Sequence, residues 1–302
     1  MTKFRWIASF VVAATMTSAL NAETKCPGNV ESVPLHPVNG YQMIVAVEVN
    51  HAGPYNFLLD TGTQFTMIDP SLAGELNAKG EDSIPVDGTG FHTTASSVLL
   101  GPVETGSHAV AHVAAVVYSL KNLRAAGLSI RGVLGEDFLK HFDMLIDNGN
   151  RMLCLDDTGA MRGEMNGQRI AMVTSSETED VPPNSLLFTV QLSDVPRPIR
   201  LKLDSGATAS VLYNPAKYQA PRLVREGLRR GNGTDGAQRD FMGLPAQQVK
   251  IDSLELRAVP FFALAAKGKD PANADFDGLL STGLFRRVFI SHAQHFAVLE
   301  AR

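Results

Sequence analysis

Apolar residues along the chain come in short alternating runs separated by turn chemistry, the period-two pattern of half-buried strands. Met43 to Val49 is valine-rich and reads as a strand, and Asn50, His51, Ala52, Gly53 and Pro54 read as a turn. Tyr55 to Asp60 is the return strand, with Tyr55, Phe57 and Leu59 on one face and Asn56, Leu58 and Asp60 on the other. Thr93 to Leu100 and Val103 to Val117 read as further strands. Gly132 to Gly135 precedes a short helical segment, Glu136 to Phe142, in which Phe138, Leu139 and Phe142 fall at helical spacing. Asp143 to Asp147, a turn at Asn148, Gly149 and Asn150, and Met152 to Leu155 form a closing hairpin. Later, Ile199, Leu201 and Leu203 share a face opposite Arg200, Lys202 and Asp204.

The pattern occurs twice. Phe57-Leu58-Leu59-Asp60-Thr61-Gly62 matches Leu201-Lys202-Leu203-Asp204-Ser205-Gly206, with the aspartates 144 positions apart (204 − 60). At that offset Met43, Ile44, Ala46 and Val47 fall on Leu187, Phe188, Val190 and Gln191, and Thr66 to Ile68 fall on Ser210 to Leu212. Leu145, Ile146, Met152 and Leu155 fall on Phe289, Ile290, Phe296 and Leu299. Gly132 to Gly135 matches Gly278 to Ser281 at 146, so a two-residue insertion lies between. Two glycine-rich polar stretches, Gly88-Thr89-Gly90-Phe91 and Asn232-Gly233-Thr234, read as hairpin tips at matching places. The expected organisation is a unit over 34–158, a polar crossing over 159–180 and a second unit over 181–302.

Composition narrows the function. The chain has 302 residues, 44% hydrophobic and 19% charged, which suits two domains with cores of their own. A net charge of −4 without a basic run argues against a nucleic-acid partner. Residues 1–22 read as an export signal: Lys3 and Arg5, an apolar core from Trp6 to Met16, and cleavage after Ala19 or Ala22. The rival is an uncleaved anchor, but the apolar run is shorter than a spanning helix needs. The expectation is a periplasmic or extracellular monomer with no stable membrane insertion once the signal is removed. Cys26 and Cys154 are either a disulfide, as export would allow, or two separate thiols.

Two carboxylates, one per repeat, meet only if the units pack face to face about a pseudo-twofold axis. Gly62 and Gly206 would then permit close backbone approach, and glycine also tolerates unusual dihedrals. Like charges a few ångströms apart cannot both ionise comfortably, so such a pair holds one proton. One member can act as base on water while the other protonates a carbonyl, which is peptide hydrolysis with no cofactor and no metal.

At these residues the chain resembles aspartic peptidases of the retropepsin–pepsin group, and in particular two retropepsin-like domains fused in one chain. The resemblance covers roughly 41–300. It implies an all-β fold of two tandem acid-protease-type barrels, with Asp60 and Asp204 as the catalytic pair. It implies that Thr61 and Ser205 brace the loops across the interface, and that the two glycine-rich tips are flaps over a peptide or protein substrate. Ser281 departs from it, standing where the first unit has Gly135.

Other motifs carry less. Asp157-Thr158-Gly159 is a third copy of the tripeptide, but Asp156 precedes it where an apolar residue is required. His108 and His112 would share a strand face, with no carboxylate or cysteine placed beside them, and read as a solvated face. His292 and His295 read as surface. Ser205 lacks the glycine of a nucleophile elbow two positions earlier, where Leu203 stands. Alternatives to a single-chain endopeptidase are a non-catalytic peptide-binding module on the same fold, and a dimer pairing aspartates between chains.

Overall fold

The alternating runs become strands of three sheets in a computed structural model that describes residues 25–80, 82–89, 91–173, 186–218, 226–232, 238–265 and 276–302. The expected export signal lies outside these residues. Helices are short, Pro70–Glu75 being the longest described, and the protein is all-β with an acid-protease-like architecture.

The first unit is a ten-stranded sheet from His36–Val38 to Gly132–Leu134. The expected hairpin forms from Gln42–Val49 and Ala52–Leu59 and ends in Asp60, but with a tighter turn: Ala52, Gly53 and Pro54, expected in the turn, belong to the return strand. Gly132–Leu134 lies parallel to the end of that hairpin, pairing Gly132 with Phe57 and Leu134 with Leu59. A side chain at Gly132 would run into the Phe57 ring, so glycine lets that buried aromatic pack against the strand. The run expected as one strand over Val103 to Val117 is three: Val103–Thr105, His108–Val110 and Val113–Val117. Gly106 and His112, both at positive φ, break it.

The residues expected as the second unit supply a seven-stranded sheet, Leu187–Leu192 to Gly278–Ser281. Gly278–Ser281 runs parallel to Ile199–Asp204, pairing Leu201 with Gly278 and Asp204 with Ser281. Leu187–Leu192 pairs with both Ile199–Asp204 and Gln238–Ile251, which curls the sheet back on itself.

A third sheet joins the units. The closing hairpin of the first, Asp143–Asp147 with Met152–Asp156, lies beside that of the second, Phe285–Ser291 with Phe296–Ala301. Across the seam Leu145 pairs with Phe289, its own repeat equivalent (289 − 145 = 144). An antiparallel pair of equivalent residues marks where a twofold relation passes through the sheet. One core cluster crosses both units and includes Val45, Phe57 and Leu59, Phe188, Leu201 and Leu203, and Val288 and Ile290 of the seam.

Cys26 and Cys154 form a disulfide, which decides between the two alternatives left open by the sequence. It sits with Leu145, Met152 and Phe289 in a second apolar cluster, on an N-terminal segment whose strand Ser32–Pro34 pairs with Met152–Asp156. The described part of the expected crossing, up to Val173, holds a helical turn, Ala160–Glu164, and a strand, Ile170–Ala171, on the edge of the seam sheet. In Asp157-Thr158-Gly159 the glycine has φ +84° and opens that turn, while the buried carboxylate of Asp156 accepts the Thr158, Gly159 and Met161 amides.

Candidate active site

The two aspartate-bearing turns face each other at the centre of the molecule. Their bracing is reciprocal: the Thr61 amide donates to Ser205 Oγ (3.0 Å) and the Ser205 amide to Thr61 Oγ1 (3.1 Å). The Thr61 hydroxyl then donates to the Leu203 carbonyl (3.0 Å), and the Ser205 hydroxyl to that of Leu59 (2.8 Å). Each hydroxyl thus accepts from one opposite strand end and donates to it as well, and all four bonds are buried, where an unmade bond is costly.

Asp60 and Asp204, each 4% exposed, are brought side chain to side chain. Asp60 accepts the Gly62 amide at 2.8 Å and Asp204 the Ala207 amide at 2.9 Å. A Cβ on Gly62 would lie 2.5 Å from the Asp204 carboxyl carbon, and one on Gly206 would lie 2.5 Å from that of Asp60. The glycines therefore admit the opposite carboxyl rather than a backbone, and neither has a positive φ, so the expectation of unusual dihedrals is corrected. Burial pushes both carboxyls above the ordinary aspartate range, and the neighbouring Asp60 charge raises Asp204 further.

Supporting bonds repeat beneath each turn. The Gly135 amide donates to Thr66 Oγ1 (3.2 Å), and the Ser281 amide donates to Ser210 Oγ (3.2 Å). Ser281 adds a hydroxyl bond to the Ala207 carbonyl (2.7 Å), on the turn that presents Asp204. The serine that departs from the first unit's glycine is therefore a brace.

The first tip is a hairpin, Ser83–Gly88 with Phe91–Leu100. Thr89 at its apex is buried, 2.8 Å from the Tyr213 hydroxyl of the second unit, so the tip already reaches across. Gly88 lies half-buried beside Thr89, whereas Gly90 and the Phe91 side chain are outside the described residues. The second tip is flanked by Glu226–Asn232 paired with Gln238–Ile251. Gly233, Thr234 and the Asn232 side chain are outside the described residues.

Two histidine expectations are corrected. His292 is not surface: its side chain is 8% exposed, with Nε2 3.0 Å from Glu136 Oε2 and Nδ1 2.7 Å from the Phe142 carbonyl, so it spans the units. His112 lies beyond the strand that holds His108, so the two do not share a face. His295 is exposed, as expected.

Sequence reasoning missed Lys202 and Gln42. Lys202 Nζ donates to the Gly62 carbonyl (2.8 Å) and Gln42 Nε2 to the Gly206 carbonyl (2.6 Å), each from the opposite unit. The signal for Lys202 was a cation on the same alternating face as Asp204 and two residues before it, although Arg200 on that face offered the same signal.

Residues 45–138 match the model of a family described as aspartyl protease. The matched stretch holds Asp60, the first tip and Gly132 to Gly135. No curated protein matches the chain. The match and the fold support an aspartyl protease of the retropepsin-like type, and with it a hydrolase of peptide bonds in general.

Proposed function

We propose that the chain is an exported aspartic endopeptidase, active as a monomer, in which Asp60 and Asp204 activate one water molecule between them. The observation that carries this reading is the contact of two buried carboxyls on turns locked by four reciprocal hydrogen bonds. Desolvation and mutual repulsion favour a pair holding one proton and one negative charge, the behaviour associated with aspartic-protease dyads. The ionised member takes a proton from water as that water attacks the peptide carbonyl, and the protonated member donates to the carbonyl oxygen. The resulting tetrahedral diol collapses as a proton passes to the leaving amine, with no covalent enzyme intermediate. A hairpin that reaches Tyr213 from the first unit suits closure over an extended peptide.

The disulfide is compatible with an oxidising compartment, which agrees with export to the periplasm or beyond. The site is complete within one chain, which favours a monomer over pairing of aspartates between chains.

Asp60→Asn and Asp204→Asn should each lower peptide cleavage by about 10²–10⁴-fold. A statine-type mimic of the tetrahedral species should bind the wild type and inhibit it. A substitution that leaves full turnover would exclude the shared-proton mechanism. Binding of a mixed peptide library without products from acidic to neutral pH would favour a peptide-binding module instead.

A further inference from the structure

Each turn's glycine carbonyl is held by a side chain from the other unit, and the two holders are unlike in charge. Gln42, at Gly206, is neutral, while Lys202, at Gly62, carries an ammonium that is 9% exposed in its residue as a whole. Neither is shared by the repeat: Lys202 falls on Leu58 (202 − 144) and Gln42 on Leu186 (42 + 144). A buried ammonium is costly unless opposite charge lies near. The neighbours of Lys202 on the flanking strands, Leu187 and Leu279, are apolar. The Phe276 ring lies 5.7 Å from Nζ. Asp277, close by, already takes Lys217, the Tyr218 hydroxyl and the Arg200 amide. Among the described groups facing Lys202, Asp60 and Asp204 are left to balance it, and its charge acts on both.

One ammonium matches a dyad carrying one negative charge, making the buried group neutral as a whole. We propose that Lys202 is a positioning residue for the dyad: it fixes the Asp60 turn through the Gly62 carbonyl and holds the pair in its singly ionised form. Without it, both proton losses move to higher pH, since a nearby positive charge favours each ionised state. This inference rests on the shared-proton reading, but its central measurement does not need turnover.

The experiment is a carboxyl-carbon NMR titration of aspartate-labelled wild type, Lys202→Gln, Lys202→Met and Lys202→Arg, with cleavage profiles alongside. Lys202→Gln keeps a donor toward Gly62 without the charge, so it carries the test if Lys202→Met fails to fold. Both dyad transitions should rise by about one to three pH units in the Gln and Met variants, for unit charges about 4–12 Å apart at an effective dielectric near 20. Lys202→Arg should titrate near the wild type. In the cleavage profiles, both limbs should shift the same way. Titrations of the Gln variant that superimpose on the wild type would overturn the inference, whether or not the protein cleaves peptides. Loss of cleavage in the wild type with the shift still present would overturn the proposed function and leave the role of Lys202 standing.

Discussion

The two aspartate-bearing regions of the molecule are braced alike through their turns and differently around them. In the reciprocal bracing of the turns and at the seam, positions 144 apart do the same things: Thr61 mirrors Ser205, Gly62 mirrors Gly206, and Leu145 pairs with Phe289. Other contacts between the two regions diverge, Lys202 and Gln42 on the glycine carbonyls among them. Glu136 and His292 meet on one side of the seam. The matching place on the other side is filled by Asn148, the repeat equivalent of His292 (292 − 144), whose amide donates to the Thr282 and Phe285 carbonyls. Ser281 braces from the place where Gly135 offers no side chain. Symmetry is kept in the hydroxyl bonds and glycines of the two turns, and is lost in the side chains around them, Lys202 and Gln42 included.

The sharpest way to break this comparison is to add one methyl group at the centre. Gly62→Ala and Gly206→Ala each place a Cβ against the opposite carboxyl carbon. Neither carboxyl can retreat without leaving its amide partner. Each variant should lose about 100-fold or more in kcat/KM, since small misplacements of reacting groups cost that much. The two losses should be alike, measured on one peptide at one pH. A large loss in one and none in the other would mean that the centre is not symmetric in its function.

The seam provides a second contrast, because one of its two equivalent contacts titrates and the other does not. Burial pulls the His292 imidazole down, but the hydrogen bond and charge of Glu136 and the Phe142 carbonyl outweigh it, leaving its pKa above the ordinary 6.5. A histidine raised in the folded state contributes stability that is full below its unfolded value and is lost as pH rises through the folded one. The double variant Glu136→Gln/His292→Gln removes the pair without stranding a charge. Its deficit against wild type in urea unfolding should therefore be larger at pH 5.5 than at pH 8.5. The pH-dependent part is about 1.4 kcal/mol for every tenfold by which folding tightens the imidazole's hold on its proton. Asn148→Ala should cost stability equally at both pH values. A double-variant deficit that stays flat with pH would remove the histidine's charge from the account.

What the sequence made legible follows from the same contrast. The strands and the two aspartate turns were readable because the pattern of each is local in the chain. Gly62 and Gly206 were readable as necessary, but their reason was not, since the carboxyl that fills each space comes from 144 positions away. Lys202, Gln42 and His292 are single residues without a repeat partner of the same type, and their bonds run to distant segments. His292 looked like surface because it follows a strand end beside exposed residues; the helical turn carrying Glu136 covers it.

The smallest effect expected is at Ser281, and there the halves can be exchanged. Its hydroxyl donates to the Ala207 carbonyl and accepts the Gly283 amide, capping the turn Thr282–Leu284. Ser281→Gly should cost about 1 kcal/mol, the scale of a lost cap and one net hydrogen bond. Turnover should fall only slightly, because the Ala207 amide that binds Asp204 remains on the same turn. The reverse exchange, Gly135→Ser, should be worse: a Cβ there would meet the Phe65 carbonyl carbon at 2.7 Å, backbone that cannot swing aside. Thermal unfolding of the two variants decides the matter. Equal costs would mean that the serine and the glycine are interchangeable accidents of the two copies. Unequal costs, with Gly135→Ser the greater, would mean that each half has fitted its own residue to the turn beneath its aspartate.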